Sequence, residues 1–478
     1  MLVSLYTSRV VLNTLGVSDF GVYNVVGGLV AMFSILSGSL TTAISRYITF
    51  TLGKGDRKRL NEVFSTALIV QSIMAISIII LAEILGVWLL NCKMNIPETR
   101  MSAANWVLQF SIFSFAINLI SIPYNSSIIA HEKMSAFAYI SIVEASLKLL
   151  IIYLLVISNF DKLISYSFLL LCVAIVIRMT YGIYCKRHFE ECHFKYIWDK
   201  KLLKEMTSFA EWSLIGNSAG ILRNQGVNIL LNIYCGTIVN AANGIATQVN
   251  NAIAGFSNNF IMAVNPQIIK LYSQKQLDKS YKLVMNSSRL SFMLMLLITT
   301  PVIFTTPEIL KLWLKIVPDY SVHFIRLILL LSLVECICIP LVTLNQATGN
   351  IRNYQLVVGT IHLLNFPVSW VFLEVGCIPE LVYVIAIVLA VVNLYARLIM
   401  LNRMLGVSIR SFNKNVVFKI FKTALLTYIC VYGMRRMFDN WILIVILSTA
   451  LTGFIISLTG ISKNERAFIL SRLHIIGK

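Results

Sequence analysis

Charge is the first thing this 478-residue chain is short of. Asp, Glu, Lys and Arg make up 13% of it, where a soluble domain carries roughly a quarter. Hydrophobic residues make up 58%, and the mean hydropathy is +0.79. That balance excludes a soluble globular enzyme. Proline is scarce, at 9 residues, so little interrupts the apolar runs. Cysteine, also at 9, is mostly spread as singletons inside those runs (Cys172, Cys336, Cys338, Cys430). This excludes a disulfide framework and suits a small buried residue. The local group Cys185, His188, Cys192 and His193 fits no standard zinc spacing, and no metal site is expected. "LGKGDRKR" from Leu52 lacks the glycine spacing of a phosphate-binding loop. No catalytic triad and no cleavable signal segment stand out. The longest loops run to about twenty residues, short of what a membrane-embedded glycosyltransferase or ligase needs for its catalytic groups.

What is there is long hydrophobic runs. Apolar spans fall at 1–14, 22–44, 63–90, 105–130, 136–157, 163–185, 207–234, 239–264, 284–305, 322–346, 355–373, 379–400, 416–434 and 441–461. A run of roughly 18 or more residues can cross the hydrocarbon core as a helix. Lipid offers no partner to backbone N–H and C=O groups, so each crossing must bond internally. A β-barrel would show alternating segments of about ten residues instead. The prediction is an all-α, polytopic membrane protein with about 14 transmembrane helices. Met1 opens inside an apolar run, so either the true start lies upstream or the first helix is stunted.

The net charge of +19 is an orientation signal. One set of alternate loops holds Lys54, Arg57, Lys58, Arg59, Lys186, Arg187, Lys200, Lys201, Lys204, Lys270, Lys275, Arg403, Arg410 and Lys414, among others. The other holds Lys93, Arg100, Lys162, Lys311, Lys315, Arg435 and Arg436. The count is roughly 28 against about 7, which places the first side and both termini in the cytoplasm. Binding to nucleic acid is a poor reading of this charge.

The chain also echoes itself. "LGVSDFGVYNVVGGLVAMF" from Leu15 is similar to "CGTIVNAANGIATQVNNAI" from Cys235. Each precedes a basic amphipathic loop, "LGKGDRKRLNEVF" from Leu52 and "SQKQLDKSYKLV" from Ser273. Six crossings per repeat make the two copies parallel. The expected organisation is a six-helix lobe over 1–190, a cytoplasmic linker over 191–206, a second six-helix lobe over 207–405, and two further helices with a tail over 406–478.

The chemistry lies in polar residues inside the spans. Asn217, Arg223, Asn224, Gln225, Asn228 and Asn232 share the seventh; Asn243, Gln248, Asn250, Asn251, Asn258, Asn259 and Asn265 mark the eighth. Asn251, Asn258 and Asn265 recur every seven residues, near one helical face. Ser111, Ser114, Asn118 and Asn125 repeat the pattern in the fourth span, and Asn24, Ser34, Ser37 and Thr41 in the second. Such stripes cannot face lipid cheaply. They either line a hydrated cavity or bond helices together.

Arg223 lies near mid-membrane, beyond easy snorkelling, and suits a phosphate or pyrophosphate. Its alternative role is a paired structural arginine. Arg9 on the first span and Arg46 at the cytoplasmic end of the second are further cation candidates. Glu144 and Lys148, at i and i+4, either neutralise each other or couple an ion. Glu83, Glu211 and Glu335 are other candidate carboxylates for a coupling proton or sodium ion. Arg178 and Arg326 lie near span ends and read as snorkelling side chains. Pro123, Pro266, Pro301, Pro340 and Pro367 serve equally well as gating or packing kinks.

These segments resemble the polysaccharide (O-antigen or capsule) flippase branch of the multidrug/oligosaccharidyl-lipid/polysaccharide exporter superfamily. The resemblance is carried by the opening "SRVVLNTLGVSDFGVYNVVGG…FTLGKGD" from Ser8, by "IPYNSSIIAHEKM" from Ile122 and by "VNPQIIKLYS" from Val264. It covers nearly the whole chain. It implies a MATE-like arrangement of two six-helix lobes around a basic cavity, plus two extra helices. It also implies alternating access and no cofactor. The implied substrate is an oligosaccharide on an undecaprenyl-pyrophosphate carrier in the bacterial cytoplasmic membrane, with membrane lipids, a polymerase and glycosyltransferases as partners. The substrate-contact candidates are then Arg223, Arg9, Arg46, Asn224, Asn228, Asn251, Asn258 and Asn118. The alternatives are a multidrug or metabolite exporter of the same superfamily, which would favour an acidic cavity, and a non-transporting scaffold for glycan assembly.

Overall fold

A computed structural model of the protein describes residues 34–92, 98–157, 160–196, 199–314 and 317–460, with residue 96 and scattered positions between 11 and 30. For some residues inside these helices it describes the backbone alone. Among the described residues all regular structure is helical.

The long helices are α1 (Ser34–Lys54), α2 (Arg57–Gly86, continued by Val87–Cys92), α3 (Met101–Ala130), α4 (Met134–Ile157) and α5 (Lys162–His188). A helical stretch, Lys200–Ser273, follows. Then come α8 (Leu277–Phe304), the short α9 (Thr306–Leu314), α10 (Ser321–Ala347), α11 (Arg352–Glu374), α12 (Leu381–Leu405), α13 (Ile409–Arg435) and α14 (Trp441–Gly460). Ten of the described helices are long and apolar enough to cross a membrane. α1 and the 200–273 stretch are not among these ten, although α1 overlaps one predicted span and the stretch covers two.

Residues 200–273 form two helices. Gly236 has φ 82°, a left-handed conformation that glycine adopts without steric cost. Arm α6 runs over 200–235 and arm α7 over 237–273. The Asn243 amide, seven residues past the break, donates to Asn228 Oδ1, eight residues before it, at 3.0 Å. The arms therefore fold back on each other as a helical hairpin. The break falls between the predicted spans 207–234 and 239–264.

Local residues set the other ends. Gly55 (φ 75°) stops α1, ten residues beyond the predicted apolar span, because polar residues continue the helix past the membrane-like segment. Asp56 then caps α2 by accepting from the Arg59 N–H at 3.0 Å. Asp161 caps α5 through the N–H groups of Leu163 and Ile164, and Asn440 caps α14. Gly406 (φ 70°) ends α12.

The internal repeat is visible in these starts. α2 and α8, α3 and α10, α4 and α11, and α5 and α12 begin at Arg57 and Leu277, Met101 and Ser321, Met134 and Arg352, and Lys162 and Leu381. All are offset by 218 to 220 residues. Even the left-handed residue ahead of the second member recurs, Gly55 against Lys275 (φ 60°).

The chain divides into two compact units, Met1–Leu214 and Ile215–Lys478. The first has a core around Ile44, Ile48, Phe64, Ile128 and Leu155; the second is built on Phe324, Leu341, Leu344, Leu398 and Phe412. Apolar side chains gain little by leaving lipid, so interhelical hydrogen bonds help hold such bundles. Ser45 and Ser126 share one at 2.8 Å between α1 and α3. Ser288 donates to the Ile337 carbonyl at 2.9 Å between α8 and α10. Outside, Ile76, Ile84, Ile142, Ile233, Leu312 and many other large apolar residues are exposed. No soluble monomer presents so much apolar surface; lipid accounts for it.

Candidate functional site

The amide-rich hairpin builds a cavity of about 330 Å³ inside the second unit. Its walls are α6, α7, α10, α11 and α12. Close approach makes the geometry. At Gly226 a Cβ would lie 2.6 Å from the Phe366 ring, and at Gly216 1.9 Å from the Gln355 amide. Only hydrogens there let α6 lie against α11, which brings Arg223 to its partners.

Arg223 donates to Glu335 Oε1 at 2.8 Å and approaches His362 Nδ1 at 3.2 Å. On the ring's other side Arg397 Nη2 stands 3.5 Å from His362 Nε2, and its Nε donates to the Tyr354 hydroxyl at 3.2 Å. Asn393 reaches His362 Nδ1 at 3.5 Å. Across the cavity runs a second chain of contacts: the Tyr383 hydroxyl donates to Asn243, whose amide donates to Asn228. Ser332 donates to Asn250 at 2.5 Å. The result is a compartment with a wall of amides and hydroxyls and an arginine paired with Glu335.

Of the predicted contact residues, Arg223, Asn228 and Asn251 line this cavity. Only the backbone of Asn224 is described, and Arg9 lies outside the described residues. Asn258 is exposed on α7. Asn265, third in the seven-residue stripe, accepts from Thr343 at 2.7 Å and bonds α7 to α10.

Arg46 and Asn118 belong to the first unit. Arg46 is buried, its guanidinium 4.7 to 5.3 Å from the ring centres of Tyr47, Phe50 and Phe209, an aromatic cage for a cation. Asn118 is exposed on α3. Arg178, read as a snorkelling side chain, lies 3.9 Å from the Tyr124 ring centre.

The predicted ion-coupling residues are dispersed. Glu144 and Lys148 pair at 2.5 Å along α4 and are both half-exposed. Glu83 accepts from Gln109 at 2.8 Å. Glu211 is the charged group on a mostly apolar pocket between α1, α2 and α6. In the cysteine–histidine group, Cys185 and Cys192 are buried, while His188 and His193 contact the backbone carbonyls of Tyr184 and Glu190.

Sequence reading missed His362, Asn365, Tyr383, Asn393 and Arg397. The signal was present for one of them. Arg397 is a charge inside the predicted span 379–400, which is a functional candidate by default. A lone His362 and single asparagines carry no pattern by themselves.

Ionic clasps join distant segments of the first unit, two of them around Arg100 and His131. Arg100 joins Asp19, from the Leu-Gly-x-x-Asp-Phe-Gly segment, to Asp161, with 2.8 Å to Asp19 Oδ1 and 2.5 Å to Asp161 Oδ2. Burial opposes the Asp161 charge, but the guanidinium and two backbone N–H groups outweigh it and hold its carboxyl below the usual range. The second clasp is His131 with Glu191, at 2.5 Å, the imidazole stacked on Phe189. Here too burial is outweighed, by His131, and the Glu191 carboxyl is held low.

Fold and compartment together define a multi-pass α-helical membrane protein with a polar, arginine-bearing cavity. The structure is similar to "Crystal structure of MATE in the straight conformation", with a TM-score of 0.72 and 14% identity over 85% of this chain and 93% of that one. It is similar to "Outward-facing conformation of a multidrug resistance MATE family transporter of the MOP superfamily", with a TM-score of 0.71 and 13% identity over 84% and 90%. It is also similar to a MOP superfamily transporter from Pyrococcus furiosus, described by "Reverse polarity of binding pocket suggests different function", with a TM-score of 0.69 and 15% identity over 84% and 90%. At such identities the likeness is one of fold, and the fold is MATE-like. The family model "Polysaccharide biosynthesis protein" matches residues 1–272, and the chain belongs to that family. No curated protein matches it.

Proposed function

We infer that this protein is a flippase for undecaprenyl-pyrophosphate-linked oligosaccharide units, working by alternating access at the bacterial cytoplasmic membrane for O-antigen or capsule assembly. The observation that carries the reading is the cavity in the second unit, where Arg223 faces a wall of Asn228, Asn243, Asn250 and Asn251. A guanidinium matches a phosphate oxygen pair, and amides match sugar hydroxyls. Membership in a polysaccharide biosynthesis family supports a glycan ligand, and a MATE-like fold supports transport without covalent chemistry. The lipid tail of such a ligand stays in the bilayer while the head group crosses. A coupling proton or sodium ion is part of the proposal, as are both termini in the cytoplasm.

The test is the sidedness of lipid-linked oligosaccharide in inverted membrane vesicles, with and without the protein. Accumulation on the cytoplasmic leaflet only in its absence supports flipping. Unchanged sidedness overturns the reading for that glycan and favours small-molecule export or a scaffold.

A further inference from the structure

The described charged groups of the cluster behind the cavity carry more positive than negative charge. They are the guanidiniums of Arg223 and Arg397 and the carboxylate of Glu335, a formal sum of one positive charge. His362 stands between the guanidiniums with one ring nitrogen toward each. A neutral imidazole has one lone pair to offer, so it accepts from one arginine and not from both. The Nδ1 contact to Arg223 is 3.2 Å and the Nε2 contact to Arg397 is 3.5 Å.

The internal repeat shows what the second unit has changed. Arg397 stands sixteen residues after the start of α12, as Arg178 does in α5. His362 stands ten residues after the start of α11, as Glu144 does in α4. The first unit thus has a carboxylate where the second has a neutral ring. The acid that meets Arg223 is on a different helix: Glu335, fourteen residues into α10, corresponds to Phe115 in α3. Glu335 is also more than a third exposed, whereas Arg223 is largely covered, at 38% against 14% of the side chain. Both members of the pair line the cavity, so the pair is within reach of a ligand there.

We propose that Glu335 is an internal counter-ion that occupies Arg223 until a ligand phosphate takes its place. This rests on the flippase reading for the identity of the ligand. The carboxylate fills the anion position in the empty site and holds the cation in a bound-like geometry. A phosphate entering along the amide wall exchanges with it on Arg223, and Arg397 behind His362 adds to the field that favours the exchange. Weakening of the site by Glu335 makes release possible, since a desolvated arginine without a competing acid would retain a pyrophosphate.

The experiment is binding of inorganic pyrophosphate and, separately, of farnesyl pyrophosphate to the full chain in detergent. It compares wild type, Glu335→Gln, Arg223→Ala and the double variant. Glu335→Gln keeps shape and removes the competing charge. It is expected to bind pyrophosphate at least about tenfold tighter, the worth of one charge-assisted hydrogen bond, with the gain abolished in the double variant. Glu335→Asp, one methylene shorter, gives a smaller gain and serves if the amide variant fails to accumulate. Tightening in both arms assigns the site to the phosphate itself; tightening with farnesyl pyrophosphate alone assigns it to a lipid-borne phosphate. Equal or weaker binding of both ligands in Glu335→Gln overturns the proposal, as does absence of binding of either ligand in every variant. Vesicle sidedness separates the two readings. Flipping by wild type without tightening in Glu335→Gln removes the counter-ion and keeps the flippase. Tightening without flipping does the reverse.

Discussion

Arg223 and Glu335 are 112 residues apart in the chain and 2.8 Å apart in space. Arg223→Ala is expected to abolish transport while the protein still inserts at normal abundance. Glu335 keeps over a third of its side chain open, so losing the pair costs about 1 kcal/mol or less of stability. Transport in vesicles, normalised to protein by immunoblot, is the measurement. Normal transport removes Arg223 from the site.

Glu144 and Lys148 offer the opposite case. Both are half-exposed and face each other along α4 at 2.5 Å, which is worth about 0.3–0.5 kcal/mol for a pair spaced this way. The double variant Glu144→Gln, Lys148→Gln is expected to transport at the wild-type rate with the wild-type dependence on proton or sodium gradients. Loss of gradient dependence would make the pair an ion-coupling site.

Gly226 decides whether α6 can lie against α11. A side chain there meets the Phe366 ring, with even a Cβ at 2.6 Å. Gly226→Leu is expected to cost about 1–3 kcal/mol through overpacking and to lower Tm in detergent. Phe366→Leu in the same chain should recover much of the loss. No recovery would place the strain elsewhere.

The Arg100 clasp gives a dependence on pH. The Asp161 carboxyl is held below its ordinary value in the folded protein. Its contribution is therefore present above the unfolded value of about 4 and disappears as pH falls through the lower folded value. A partly exposed pair of this kind contributes about 0.5–1 kcal/mol. The Tm of wild type should drop more than that of Arg100→Leu as pH goes from 6 to about 3. Parallel curves would show that the clasp adds nothing to stability.

How far the sequence reached differs between helices and contacts. Spans such as 322–346 and 355–373 match α10 and α11 within a few residues. The repeat noticed in two pairs of segments reappears as helix starts offset by 218 to 220 residues. The hairpin break was legible as a gap between spans, and Gly236 with its φ of 82° is the physical cause. α1 runs beyond the apolar span 22–44 because hydropathy marks the apolar segment, whereas the helix continues to the glycine that stops it.

The site was legible only in part. Arg223, Asn228 and Asn251 were recognisable because charge and repeated amides inside apolar spans stand out. The role of Arg223 was open between ligand contact and structural pairing, and the structure supplies its partners, Glu335 and His362. Neither can be read from α6. Asn258 and Asn118 followed the same polar pattern, yet they line no part of this cavity.

The sequence alone determined the helices, their internal repeat and the membrane as solvent. Those follow from the need of every backbone group in lipid to bond within its own segment. Tertiary structure decided which polar side chains meet. A helix fixes the face of each residue but not the helix it faces. That depends on approaches as local as Gly226 against Phe366 and on the turn at Gly236 that lays Asn243 beside Asn228.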